Sequence, residues 1–370
     1  MNTGGSGGQA STTAGTGGAV TGGSGNAAGS SRGGGGAGNA SGSGGDAGSA
    51  PGGTSNSGGG GTGGSSGGSA GGSAGSGGTN AGAGFRTSPN ELVFGAVQQT
   101  QSPAQSVKVT AGSAALKLAS VKLDAAAAGT SSFELVSPPA DGTSVAAGQS
   151  LDIQVRFKPS GIALFQSKLV IEAVGADMPV NVGLYGLGTK GLEGENEPYL
   201  KIVLDTLGYQ VDVGGSALLS TTTPLVGSEV AAQQFQAAGA GAIEIVPVAR
   251  YSPQEPIPYG YYTAQAETVV GTISNDQYQA LNPKTDAGSM LTFADPGSAF
   301  GIFTTSKTHK TYSEDSKNAG NQVKHAVRSY PLKDRAGTAI ANAYLVCFEE
   351  AANGDYQDYV FTLKNVKPAP

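Results

Sequence analysis

The sequence predicts an all-β protein: an immunoglobulin-like sandwich, then a second, jelly-roll-like β-sandwich with one short helix, both behind a disordered Gly/Ser-rich N-terminal tail. Three observations predict it. Near residue 85 a chain dominated by Gly, Ser, Ala and Thr gives way to ordinary globular sequence. Beyond that break, short apolar runs alternate with polar residues at a period of two, separated by Gly, Pro and Ser turns. Strands do not alternate with helical patterns of roughly 10–15 residues, which argues against a catalytic α/β architecture.

Residues 1–84 hold 37 of the 63 glycines, and Arg32 and Asp46 are their only charged side chains. With no periodic apolar face, this stretch cannot bury enough surface to offset the entropy of ordering, so it reads as a spacer. Its glycines also lack the preceding strand and following helix of a phosphate-binding loop. In composition the tail resembles the spacers that follow the lipidated cysteine of bacterial surface lipoproteins. That cysteine is missing, and MNTGGSGG has neither the basic nor the apolar region of a signal peptide. The expectation is a natural start farther upstream or, in the plainer alternative, a soluble protein with a disordered leader.

Residues 85–190 carry a net charge of +1 and residues 191–370 a net charge of −7. An acidic C-terminal half excludes nucleic acid as a partner, because phosphates need a basic face, and it suits cations or neutral ligands such as sugars. Cys347 is the only cysteine, so no disulfide staples the fold; its apolar surroundings make it a small core residue. No stretch approaches the roughly 18 apolar residues of a transmembrane helix.

Strands of the first domain, 85–190, are read at 92–97, 106–110, 116–123, 133–135, 151–157, 164–174 and 179–187, with strict alternation at Leu151, Ile153, Val155 and Phe157. Seven short strands in about 100 residues indicate an immunoglobulin-like sandwich, without the Cys…Trp…Cys core of antibody domains because Trp is absent. SPNELVFGAV, VAAGQSLDIQVRFKPS and VNVGLYGLG occur in that order. They resemble the opening, middle and closing motifs of bacterial choice-of-anchor D and ASPM/SPD-2/Hydin-type immunoglobulin-like domains. The resemblance spans about 88–188 and implies a structural or interaction module with Phe94, Ile153, Val155 and Phe157 in its core.

In 191–370, Pro198 opens and Gly208 closes a short helix whose stripe is Leu200, Val203, Leu204 and Leu207. Strands follow at 242–248, 269–273, 290–293, 300–305, 323–327, 344–348 and 359–363, with Asn353-Gly354 as the turn of a terminal hairpin. FEEAANGDYQDYVFTL resembles the terminal motif of bacterial DUF4114-type surface domains, and RYSPQEPIPYGYYT, TYSEDSKN and YPLKDRAG resemble its companion segments. The resemblance covers about 193–368, with Glu350 where Asp is more usual. It implies residence among adhesive surface modules rather than any particular activity.

Two sites stand out. Glu349, Glu350, Asp355 and Asp358, with Asn353 and loop carbonyls, supply the oxygen ligands a calcium ion needs, although the spacing is not that of an EF-hand. The competing reading is a solvated turn whose acids face water. Tyr251, Tyr259, Tyr261 and Tyr262 lie in a Pro-punctuated segment and could form an aromatic platform for a sugar or protein; the alternative is that they point inward as core. His309 and His325 show no metal or catalytic spacing, and structural or surface roles suit both. Glu314 and Asp315 reach the cation site only if their loop folds toward Asp355. The function expected is a non-catalytic extracellular or bacterial cell-envelope adhesion protein with a surface glycan or protein partner. The alternatives are a ligand-free structural scaffold and, last, a secreted hydrolase.

Overall fold

A computed structural model describes residues 84–223 and 225–370. The expected spacer, but for its last residue, lies outside the described residues. The first sandwich holds β1 (Phe85–Ser88), β2 (Glu91–Val97), β3 (Gln105–Ala111), β4 (Leu116–Leu123), β5 (Phe133–Val136), β6 (Ser144–Val145), β7 (Ser150–Phe157), β8 (Ala163–Ala173) and β9 (Val180–Thr189). One sheet runs β1-β3-β7-β5 and the other β2-β9-β8-β4-β6. Alternation dictates the packing: Val107, Val109, Ile153, Val155 and Phe157 turn inward from the first sheet to meet Leu169, Ile171, Val182 and Leu184 of the second. β2 lies parallel to β9, so the second strand of the sandwich forms the edge of its sheet beside the last.

The helix α1 (Leu200–Leu207) forms where the Leu stripe demands it, and Gly208 closes it in the left-handed region at φ +85°. The second sandwich comprises β10 (Phe235–Ala237), β11 (Ile243–Tyr251), β12 (Ile257–Tyr262), β13 (Glu267–Ile273), β14 (Gln279–Leu281), β15 (Thr292–Phe293), β16 (Gly301–Thr305), β17 (Lys310–Tyr312), β18 (Val327–Lys333), β19 (Ala339–Phe348), β20 (Tyr359–Lys364) and β21 (Val366–Pro368). Its large sheet runs β14-β11-β20-β19-β18, with β15 also on β11, and faces the sheet β13-β12-β16-β17. From Ala343 onward β19 is covered on both sides. Val346 and Phe348 join the core between the two sheets, while Leu345 and Cys347 pack with α1 and Leu187 of the first sandwich. A strand covered on both faces reads as one unbroken apolar run.

One expected strand shifts and one further strand appears, for identifiable reasons. The strand expected at 323–327 starts at Val327 and continues to Lys333. Pro331 sits inside it, which an edge strand tolerates because one side needs no donor. Of the tyrosine segment, not expected as a strand, Tyr251 ends β11 while Tyr259, Tyr261 and Tyr262 lie on β12. Its Pro258 pairs only toward β13, and a bulge follows between Tyr259 and Gly260. The sandwiches also touch. Arg335 donates to both carboxylate oxygens of Glu91 (3.0 and 3.3 Å) and to the α1 carbonyls of Asp205 and Thr206. A turn forms at Asp334, with Gly337 N–H donating to Asp334 O, and Arg335 beside it pairs across the chain with Glu91.

Candidate metal centre

The terminal hairpin holds the site. β19 and β20 pair in antiparallel register up to Phe348 with Tyr359, and the chain between them turns back beneath the segment around Leu219. Gly354 makes the turn at φ +83°, and its carbonyl accepts the Leu219 N–H at 2.6 Å. A Cβ at 354 would stand 2.3 Å from Leu219 O, so the close approach as well as the backbone angle requires glycine.

Glu349, Asp355 and Asp358 converge there, with one carboxylate oxygen from each within 4.8 Å of the others. They are only 1%, 5% and 7% exposed, so the reading of acids facing water is wrong: the loop folds inward and takes its charges with it. Some oxygens are satisfied. Tyr356 N–H donates to Glu349 Oε2 (3.1 Å), Glu350 N–H to Asp358 Oδ2 (2.5 Å) and Asn353 Nδ2 to Asp355 Oδ2 (2.7 Å). Among the described residues, Glu349 Oε1 and Asp355 Oδ1 face no donor in hydrogen-bonding geometry.

Removal from water drives all three acids above their usual range, and neighbouring carboxylates push Glu349 and Asp358 further the same way. Neighbouring cations leave this charge unmatched. Arg250 gives its hydrogen bonds to Ser252 Oγ, Ser274 O and Pro253 O, and Arg328 gives its own to Glu229, Ser220 O and Thr223 O while stacking on Tyr356 at 4.6 Å. A buried carboxylate set with orphaned oxygens and all-oxygen donors fits a hard divalent cation better than zinc or copper.

The expected ligands do not all meet. Glu350 leaves the group, because consecutive residues at a strand end point to opposite faces. It accepts the Tyr359 hydroxyl (2.9 Å), and burial pushes its carboxyl up to about 7. Asn353 supports Asp355 rather than joining the triad. Asp315 does not reach the acids either. It pairs with His325 Nδ1 (3.0 Å), whose Nε2 meets Glu229 (2.7 Å), and Tyr356 Oη ties this network to the site by donating to His325 O. A neighbour missed in the sequence is Glu197, which accepts from Gln279 Nε2 and is pushed up to about 7 by burial and, in smaller part, by the charge of Asp355. It lies so far back in the chain that no local spacing could have revealed it.

The tyrosine platform is overturned. Tyr251, Tyr259 and Tyr262 are at most 2% exposed, and Tyr261 is half-buried, stacked on Phe293 at 4.4 Å. Tyr259 packs on Phe361 at 5.1 Å, and Tyr262 shares a hydrogen bond with Ser313 Oγ. β12 is an inner strand of its sheet, so aromatic side chains from it fill core rather than line a surface.

Fold and site together define an all-β protein of two sandwiches with a buried carboxylate cluster at its terminal hairpin. No family model matches the sequence, and no curated protein matches it. Solved structures give distant similarities. The secreted serine protease VesC from Vibrio cholerae is 12% identical over 75% of this chain and 49% of that one, with a TM-score of 0.22. The CupB2 chaperone of Pseudomonas aeruginosa is 9% identical over 60% of this chain and 94% of that one, with a TM-score of 0.22. Domains 5–6 of the S-layer protein SbsC are 12% identical over 61% and 93%, with a TM-score of 0.17. This chain thus spans about half the length of the protease, and TM-scores of this size define no shared function.

Proposed function

We propose that this is a non-catalytic bacterial protein of the cell envelope or extracellular space, a binding or scaffold module whose C-terminal sandwich is locked by calcium at Glu349, Asp355 and Asp358. The observation that carries the cation reading is the pair of orphaned oxygens, Glu349 Oε1 and Asp355 Oδ1, inside a buried carboxylate triad. Calcium, when bound, neutralises that charge and fixes the hairpin loop. Glu349 anchors one side from the end of β19 and Asp358 the other from the start of β20, while Asn353 orients Asp355. Because the acids are sealed beneath the loop, they suit a structural ion better than general acid–base chemistry on a substrate. The envelope location rests on the Gly/Ser-rich leader and on the resemblance of both domains to surface modules.

The test is a calcium titration of the full chain by calorimetry, with thermal unfolding in parallel, against Asp355→Asn/Asp358→Asn. The expected result is saturable calcium binding and a rise in melting temperature, both lost in the double variant. A cation bound only by the folded state adds roughly 2.7 kcal/mol at a hundredfold excess over its dissociation constant. Melting curves identical in saturating calcium and in chelator would end the cation reading. The purely structural scaffold would then stand, favoured by the fixed contact of the two sandwiches through Arg335 and Glu91.

A further inference from the structure

We propose that the outer face of β8 and β9 in the first sandwich binds a short neutral oligosaccharide, laid across Tyr185 and Gln166. Two hollows, of about 460 and 400 Å³, share these two residues as their common wall, so the pair forms a saddle with a depression on either side. Each hollow falls within the size of small-molecule sites, roughly 300–1,000 Å³. Gln166 and Tyr185 are register partners on adjacent strands, so alternation sends both side chains to the same outer face.

The saddle is rigid. Arg335 stacks on the Tyr185 ring at 3.4 Å and is itself held by Glu91 and the end of α1. Gly183 lets the ring lie along the strand, since a Cβ there would stand 2.7 Å from Tyr185 Cε2. A ring fixed before binding loses little entropy when a ligand settles on its remaining surface.

Polar and charged groups around the saddle select the ligand class. The side chains of Gln166 and Asn181 are exposed and make no hydrogen bond among the described residues. Each offers a donor and an acceptor, which matches hydroxyl groups that are themselves both. Charges cancel: Arg335 is paired with Glu91, Asp205 with Lys201, and the remaining Lys168 and Asp124 are of opposite sign. Such a groove gives an anion or a cation no advantage, whereas a polyhydroxylated neutral ligand finds an aromatic surface and uncommitted amides. The saddle lies on the other sandwich from the carboxylate cluster, so its occupancy does not depend on calcium.

The full chain in chelator is titrated with cellotriose, maltotriose, mannotriose and chitotriose, and with trigalacturonate as the acidic comparison. At least one neutral trisaccharide is expected to bind, and Gln166→Ala/Asn181→Ala to weaken it about tenfold, the loss of one or two neutral hydrogen bonds. The melting temperature should not move, because neither side chain supports the fold. Failure of all four neutral probes at millimolar concentration, binding of trigalacturonate alone, or binding that the double variant leaves intact would each overturn the proposal.

Discussion

Replacing Glu350 by Gln should stabilise the protein at alkaline pH, although the residue is buried and hydrogen-bonded. Its carboxyl is raised from an ordinary 4.5 to about 7, chiefly by burial, with the Tyr359 hydroxyl opposing the shift. Between those values the folded protein holds a proton that the unfolded chain has released. Folding stability from this group is therefore full below about pH 4.5 and falls as pH rises toward 7. At about 1.4 kcal/mol per pH unit, the loss above pH 7 is on the order of 3 kcal/mol. Glutamine mimics the protonated acid and keeps an oxygen for Tyr359, so Glu350→Gln should recover most of that loss. For a chain of this size the gain is roughly 5–10 °C in melting temperature at pH 8. The assay is thermal unfolding of both proteins in chelator at pH 5 and pH 8. The variant should lead at pH 8 and converge with the parent toward pH 5. A variant less stable at pH 8, or a difference independent of pH, would refute the reasoning that burial, rather than an ion or a lost contact, governs this carboxyl.

Two further outcomes follow from the geometry. A Cβ at Gly186 would stand 2.3 Å from the Phe157 ring in the first core, so Gly186→Ala should lower stability by about 3 kcal/mol through overpacking, read from urea unfolding. His325 is raised above its ordinary pKa of 6.5, first by its hydrogen bond to Glu229 and also by Asp315, so its contribution is present below pH 6.5 and lost as pH rises through the raised value. His325→Gln should therefore differ from the parent most at pH 5.5 and least at pH 9; a constant difference across that range would show that the ring acts by packing alone.

Much of the fold was legible in the sequence because the physics that makes it is local. Alternation at Leu151–Phe157 marked β7, and Pro198 with Gly208 bounded α1 to within a residue or two. The site was legible in part. Carboxylates crowded around Asn353-Gly354 pointed to the triad, but only the strand direction at Phe348 decides that Glu349 turns into it and Glu350 away. Exposure was not legible for the tyrosines. A Pro- and Gly-punctuated aromatic segment reads alike as a loop platform or as an inner strand, and the difference lies in β13 and β16 pairing on either side of it. Contacts between Arg335 and Glu91, or Glu197 and Gln279, join residues far apart in the chain and leave no trace in spacing.

The central position of β20 in the large sheet constrains the order of events as the chain is made. β11, more than a hundred residues earlier, waits for β20 as its main neighbour, and β19 joins the sheet's interior only when β20 arrives between them. Sequence up to residue 358 therefore emerges with two apolar strand faces unpaired, while the first sandwich already holds every strand it needs. Such long-range pairing makes folding slow and leaves the chain extended for longer. The N-terminal sandwich should collapse first and the C-terminal one last, a sequence of events that keeps the acid-bearing hairpin open to solvent until the final pairing closes over it.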